Sequence, residues 1–474
     1  MPRLLATLLV LGLPLAVALG VGGAQALPTA CFVSVVALWF TELLPLAVTG
    51  LLVPVLCVAY GLMDAKQAFG AFGNPILFLF LGSFLLVRGM QAHGLDQRIA
   101  SLVLSRRWAT RSVGTLTAFL ALTCWLLSMW MSNTATCAIM TPVVLGVVDT
   151  LGPRFPDEAA RKAFASRALL LTAFASSIGG LATPMGSPPN LLALSFLADE
   201  GITLGVLDWM AFGLPVAALM LVALLGLLAW RYPVPPLDLA EVRQEFAARL
   251  RDHGRPGRGE RAVAACFLAA VAMWLLPGVA GLAGVDEATV GWLEARLPLG
   301  GVAVAAALPL FVLPGDEGRP VLTWEEALHI DWGTILLFGG GLCLGTMLDH
   351  TGLAGEVGRA VFGGGMAPGL TLGAVVAFAV LLSEFGSNTA SAAVLVPLLT
   401  ATFPGLGADA LTALVVAAAL GASFGFMLPV STPPNAIVFG TGRVPARDMA
   451  STGVLFDVLG WGVLSLALAV FFLT

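Results

Sequence analysis

Residues 128–136 read SMWMSNTAT and residues 383–391 read SEFGSNTAS. Each copy carries a polar Ser-Asn-Thr triplet (132–134 and 387–389) inside a long apolar run. Each is followed by a second interruption, ATPMGSPPN at 182–190 and PVSTPPN at 429–435. One such triplet is weak evidence, because Ser and Thr also cap helices or bond back to the helix backbone. Two triplets and two Pro-Pro-Asn clusters in the same order require an internal repeat.

The surrounding chain is oily. Its 474 residues are 58% hydrophobic and 11% charged, with a mean hydropathy of +0.96. Runs of ~20 apolar residues recur, each long enough to cross a bilayer as a helix. A β-barrel would instead alternate over ~10-residue stretches. Composition therefore predicts an all-α polytopic membrane protein and excludes a soluble domain. The six cysteines (31, 57, 124, 137, 266, 343) lie in apolar stretches without paired spacing, and the four histidines (93, 253, 329, 350) are scattered. Neither set reads as a disulfide framework or metal centre. The first 26 residues have a basic start, an apolar middle and an Ala-Gln-Ala end. They fit either a signal peptide or a retained first helix.

Basic residues set the expected topology. They cluster at 98–111, 154–167 and 231–261, and such clusters favour the cytoplasmic side. With Arg3 inside, spans near 4–24, 29–43, 46–62 and 74–92 return the chain to the cytoplasm at the first cluster. Residues 112–152 then leave and return to that side, with the first triplet at their centre. A helix over 168–198 crosses outward through GSPPN, and 208–230 comes back to the Arg-rich linker 231–261. The second half repeats the plan with spans near 262–283, 298–313 and 332–348, an excursion over 369–403, a broken helix over 409–440 and an exit over 453–473. The N-terminus is then cytoplasmic and the C-terminus outside.

FLFLGSFLLVRGMQAHGL (78–95) aligns with LLFGGGLCLGTMLDHTGL (336–353). The first segment ends inside and the second outside, so the halves are expected to be inverted repeats with a site at their interface. The organisation is a first helix (1–28), one repeat (29–230), the linker (231–261) and a second repeat (262–474). The total is about 11 transmembrane helices plus two re-entrant hairpins.

Two full spans with the triplet in an exposed loop remain open for 112–152, beside a re-entrant hairpin whose tip stops at membrane depth. Irregular backbone at that depth must be buried in protein or face water. Ser, Asn and Thr suit such a tip because they cap the following helix and coordinate a ligand. Helix N-termini there direct N–H groups at an anion. Pro188-Pro189 and Pro433-Pro434 break their helices and free carbonyls that can hold a cation.

These motifs resemble those of the divalent anion/sodium symporter family of dicarboxylate, citrate and sulfate transporters. WFTELLPLAVTGLLVP (39–54) and DWGTILLFGGGLCLG (331–345) extend the likeness over nearly the whole chain. The resemblance implies a homodimer in which a mobile transport domain moves as an elevator against a scaffold. It implies two sodium sites. One would use Ser128, Ser132, Asn133 and the Gly186 backbone; the other Ser383, the Gly386 backbone, Asn388 and the Ser431 backbone. Substrate carboxylates would meet Asn133, Thr134, Ser187, Pro188, Asn388, Thr389, Thr432 and Pro433.

No Lys, Arg or His lies beside any of the four motifs, yet a dianion needs neutralising in a low-dielectric site. Bound sodium and helix dipoles can do that. The expected function is sodium-coupled symport of a dianion, a C4-dicarboxylate such as succinate, across the inner (plasma) membrane. The partners are the dianion, sodium ions and the lipid bilayer, with no nucleic acid and no catalytic residue. A sodium-independent exchanger, a citrate or sulfate carrier and a channel are the competing readings. An intramembrane enzyme would need a nucleophile with its base, which the sequence does not display. A proton carrier would need an intramembrane Asp relay.

Glu42 and Glu384 are read as structural partners before ion ligands. Arg88 is read as snorkelling to the cytoplasmic end. Asp349 and His350 are read as solvated, and TWEEALHIDW (323–332) as an interfacial helix.

Overall fold

A computed structural model describes residues 2–362, 368–403 and 406–472. Among these the chain is helical and holds no strand beyond an isolated bridge between Pro314 and Pro320. Seven helices are long and apolar enough to cross a membrane, or eight if the pair Glu287–Arg296 and Leu299–Phe311, bent by 54°, counts as one span. Shorter apolar helices fill the rest, including arms of both excursions.

The first helix, Pro2–Val21, lies against Ala26–Thr41. Pro14 has no N–H to offer the Val10 carbonyl, and Ser34 Oγ donates to that oxygen instead at 3.0 Å. Two further pairs cross one another between the halves. Leu46–Ala59 packs on Trp332–His350, and Pro75–Ala92 packs on Leu299–Ala307. Small residues make both crossings close. A Cβ on Gly50 would lie 2.5 Å from the Leu336 carbonyl oxygen, and one on Gly82 would lie 2.3 Å from the Ala303 carbonyl carbon.

Each triplet sits at the tip of a helical hairpin. Val113–Ser128 and Asn133–Leu151 form the first; Pro368–Phe385 and Asn388–Thr402 form the second. Val113–Ser128 has 16 residues and Asn388–Thr402 has 15. At ~1.5 Å per residue these arms are about 24 and 22 Å long, short of the ~30 Å hydrocarbon core.

Each Pro-Pro-Asn cluster restarts a broken helix. Glu158–Gly179 stops, a short 3-10 turn Pro184–Gly186 follows, and Pro188–Asp199 begins with its prolines in the first turn. Ala408–Ala422 stops likewise, and Pro433–Gly440 restarts. Proline is tolerated there because first-turn N–H groups have no helical partner.

Three segments differ from the sequence reading. The linker holds a helix, Ala240–Asp252, whose Val242 and Phe246 are buried one turn apart. It is tied to the first hairpin by Thr150 Oγ1 donating to Glu245 at 2.9 Å and by an Arg154–Glu241 ion pair at 2.5 Å. The segment 323–332 forms only the short helix Trp324–Ala327, because Asp331 already serves as the N-cap of the next helix, Trp332–His350. The span expected at 298–313 ends its α-helix at Ala307, where Pro309 forces a 3-10 turn, Leu308–Phe311.

Candidate functional site

At the first tip, Ser132 caps the helix Asn133–Leu151 by accepting from the Ala135 N–H at 3.2 Å. The Asn133 amide then points into three oxygens: Ser128 Oγ at 2.8 Å, the Ser176 carbonyl at 3.0 Å and the Gly186 carbonyl at 3.2 Å. With its nitrogen inward the amide's two N–H groups are shared among these three oxygens. With its oxygen inward the cluster becomes four converging oxygens, the donor set of a hard cation. Gly180 completes the cradle, since a Cβ there would lie 2.5 Å from Asn133 Oδ1 and 2.7 Å from the Gly186 oxygen.

The second tip has a matching cluster. Ser383 Oγ lies 2.7 Å from Asn388 Oδ1 and 2.7 Å from the Ala422 carbonyl. Ser431 is oriented by its hydroxyl, which reaches the Glu384 carbonyl at 2.8 Å and Oε2 at 2.7 Å. The same carboxylate accepts from the Met427 and Leu428 N–H groups at 2.8 and 3.2 Å. Glu384 is thus a brace for the second break, its buried carboxyl oxygens receiving three donors. Gly386 sits against Phe40, where a Cβ would lie 2.7 Å from the ring.

The two breaks are held open in the same way. Asn190 Nδ2 donates to the Gly180 and Thr183 carbonyls at 2.8 and 2.9 Å. Asn435 Nδ2 donates to the Gly425 and Leu428 carbonyls at 2.9 and 3.0 Å. Each asparagine therefore takes carbonyls freed by its own break, ten and seven residues back. Both side-chain oxygens are buried without a partner among the described residues.

The four motifs meet at one cavity of about 710 Å³. Asn133, Thr134, Ser187, Pro188, Asn388, Thr389, Thr432 and Pro433 all line it, as do Ser132, Gly186 and Ser431. Ser128, Ser383 and Gly386 are not part of this lining. Ser187 is fully buried, with its Oγ 2.9 Å from Ser423 Oγ. Glu42 and Asp331 are the charged residues in the wall, and it contains no Lys, Arg or His. Arg88 lies elsewhere, donating to the Glu326 carbonyl at 3.3 Å. Among the described residues no group of three or more His, Cys, Asp and Glu could hold a metal ion; the oxygen clusters are of a different kind.

Sequence reasoning had passed over Ser176, Ala422, Gly180 and Ser423. Two contribute backbone oxygens, one contributes the lack of a side chain, and Ser423 lies inside a helix end without a motif. Only the Asn of each Pro-Pro-Asn carried a readable signal, its position relative to the break.

Long apolar helices around a cavity walled by hydroxyls, amides and prolines define a multi-pass membrane transporter, not an enzyme. The chain belongs to the family described as Citrate transporter, whose profile matches residues 36–421. It is 33% identical to a transporter of Haemophilus influenzae over 89% of this chain and 86% of the relative. It is 30% identical to the sodium-dependent dicarboxylate transporter SdcS of Staphylococcus aureus (strain USA300), over 89% and 81% of the two chains. The namesake from Staphylococcus saprophyticus is 29% identical over 92% and 83%. The crystal structure of the Alcanivorax borkumensis YdaH transporter shares the fold, with a TM-score of 0.55, 16% identity and coverage of 86% and 89%. The resemblance to dicarboxylate and citrate carriers read from the motifs is borne out.

Proposed function

We propose that the protein is a sodium-coupled symporter of a C4-dicarboxylate such as succinate. The observation that carries this reading is the pair of oxygen clusters, at Asn133 and Asn388, beside a cavity with no basic side chain. A dianion entering such a cavity needs positive charge from elsewhere. Sodium bound by Ser128, Ser132, Asn133 and Gly186, and by Ser383, Gly386, Asn388 and Ser431, supplies it. The Ser176 and Ala422 carbonyls join these sets. The N-termini of the helices starting at Asn133, Pro188, Asn388 and Pro433 add their dipoles. Thr134, Ser187, Thr389 and Thr432 then offer hydroxyls to the carboxylates. The sodium-dependent relatives support the coupling.

The arrangement of the chain supports inverted repeats of about 11 spans and two re-entrant hairpins. The crossed helix pairs, 46–59 with 332–350 and 75–92 with 299–307, are what such repeats produce. In this reading those helices belong to a dimeric scaffold in the inner membrane. The hairpins and broken helices form the transport domain that moves as an elevator, with the N-terminus cytoplasmic and the C-terminus outside.

The test is succinate uptake into proteoliposomes with an inward sodium gradient and with potassium in its place. Uptake should collapse in potassium. Equal uptake in both would overturn symport in favour of a sodium-independent exchanger.

A further inference from the structure

We infer that the linker 231–261 is a latch: its helix Ala240–Asp252 ties the base of the first hairpin to the scaffold and lets go when the transport domain moves. This rests on the elevator reading above, and it adds what holds the moving part in place.

One short stretch of the hairpin faces two ways. Asp149 pairs with Arg443, just past the second broken helix, at 3.0 Å. Cys137 on the same arm approaches the Pro434 carbonyl at 3.5 Å. Both contacts lie within the part that carries the motifs and travel with it. Thr150 and Arg154 face the linker instead. Thr150 Oγ1 donates to Glu245 at 2.9 Å, Arg154 pairs with Glu241 at 2.5 Å, and Arg154 also donates to the Asp238 carbonyl at 3.3 Å. Glu241, Glu245 and Arg249 recur every fourth residue, which puts them on one helix face. Arg249 pairs with Glu245 at 2.6 Å and lies so near the arm that a Cβ on Gly146 would be 3.1 Å from it.

The other end of the linker is anchored. Arg98, on the helix Leu95–Leu104, donates to the His253 and Gly254 carbonyls at 3.1 and 2.9 Å. Through Nε and Nη2 it also makes a two-pronged ion pair with Glu260, in the first turn of Arg258–Leu282, with Nη2 at 2.9 Å from Oε2. Arg258–Leu282 packs on Pro75–Ala92 and Leu299–Ala307, and the linker helix packs against Leu95–Leu104.

The two ends differ in strength. Arg98 and Glu260 are both buried, and a two-pronged buried pair is costly to break. The Arg154–Glu241 side chains are 30% and 59% exposed, and an ion pair open to water adds little. When the transport domain moves, the hairpin side therefore parts first and the linker stays with the scaffold. A tie of this strength biases the motion without forbidding it.

A reversible cross-link gives the direct test. Thr150→Cys and Glu245→Cys are introduced together in the full chain, and a short bifunctional methanethiosulfonate joins them in proteoliposomes. The six native cysteines are buried and stay out of the reaction. Sodium-driven succinate uptake should fall by about tenfold or more on cross-linking and return with dithiothreitol. Full uptake by the cross-linked chain overturns the latch, because the linker would then ride with the hairpin. A second measurement needs no transport. Val430→Cys places a thiol at an exposed position of the cavity wall, and an impermeant maleimide added at either face reports which way the cavity opens. Glu241→Ala or Thr150→Val in that background should change the ratio of labelling rates at the two faces about fivefold. Arg154→Glu combined with Glu241→Arg should restore the ratio. An unchanged ratio in both single variants overturns the latch. A wild type that takes up no succinate with sodium overturns the symport reading instead, and the labelling ratio still decides the latch.

Discussion

Ser187 Oγ lies 2.9 Å from Ser423 Oγ, joining the first Pro-Pro-Asn loop to the helix end before the second, 236 residues away. Ser423 also donates to the Ala419 carbonyl at 3.2 Å. The hydroxyls therefore form a chain that can run in either direction. Running toward Ala419, it uses the Ser187 proton inside the protein. Running the other way, Ser423 donates to Ser187 and frees the Ser187 proton for a carboxylate in the cavity.

Ser423→Ala breaks that chain and leaves the buried Ser187 hydroxyl without its partner. The expected cost is about 1 kcal/mol of stability. Succinate affinity should fall by about fivefold in Ser187→Ala, which removes the hydroxyl that would meet a carboxylate. Thermal melts and the concentration dependence of uptake measure the two effects. An unaltered affinity would remove Ser187 from the substrate contacts.

Gly180→Ala tests the first oxygen cluster. The new methyl would sit against Asn133 Oδ1 and the Gly186 oxygen, at 2.5 and 2.7 Å before any relaxation. The Gly186 neighbour is backbone, and the Asn133 amide is itself wedged against Ser128, Ser176 and Gly186, so there is little room to give way. Sodium should then activate uptake only at concentrations about tenfold higher or more, for a loss of ~1.4 kcal/mol in cation binding. Gly226→Ala, on the helix Val206–Arg231 where a Cβ would meet nothing within 4 Å, is the control. Equal sodium activation in the two variants would mean that the cradle is not a cation site.

Cysteine labelling tests the topology without removing native thiols, because all six cysteines are buried. Single cysteines at the exposed positions Arg107 and Asp157 flank the first hairpin, and those at Gly369 and Ala408 flank the second. A membrane-impermeant maleimide should reach the first two from the cytoplasm and the last two from outside. Labelling of all four from one face would rule out the inverted arrangement.

Much of this architecture was legible in the chain because membrane insertion is governed by local composition. A run of ~20 apolar residues can cross a bilayer whatever its neighbours are, so Pro2–Val21 and Pro75–Ala92 fall close to where hydropathy puts them, whereas Ala26–Thr41 and Leu46–Ala59 stop at 16 and 14 residues. The triplets and Pro-Pro-Asn clusters were readable too, since polar residues and prolines in oily segments are costly and stand out. Composition misjudged the linker, where Val242 and Phe246 are too few to register against the arginines and matter only through the surface they dock on.

The tertiary structure decided what those motifs face. Ser176 and Ala422 enter the oxygen clusters through carbonyls that any residue carries, so no side-chain pattern could announce them. Gly180 acts through a missing Cβ, and its meaning depends on Asn133, 47 positions away in the chain, coming to rest beside it. Glu384 proved to be a brace because Met427, Leu428 and Ser431 turn their donors toward it, whereas Glu42, equally acidic in sequence, meets none. Charge and residue type are properties of the chain; the donors, acceptors and counter-charges within hydrogen-bond reach arise only when distant segments close on one cavity.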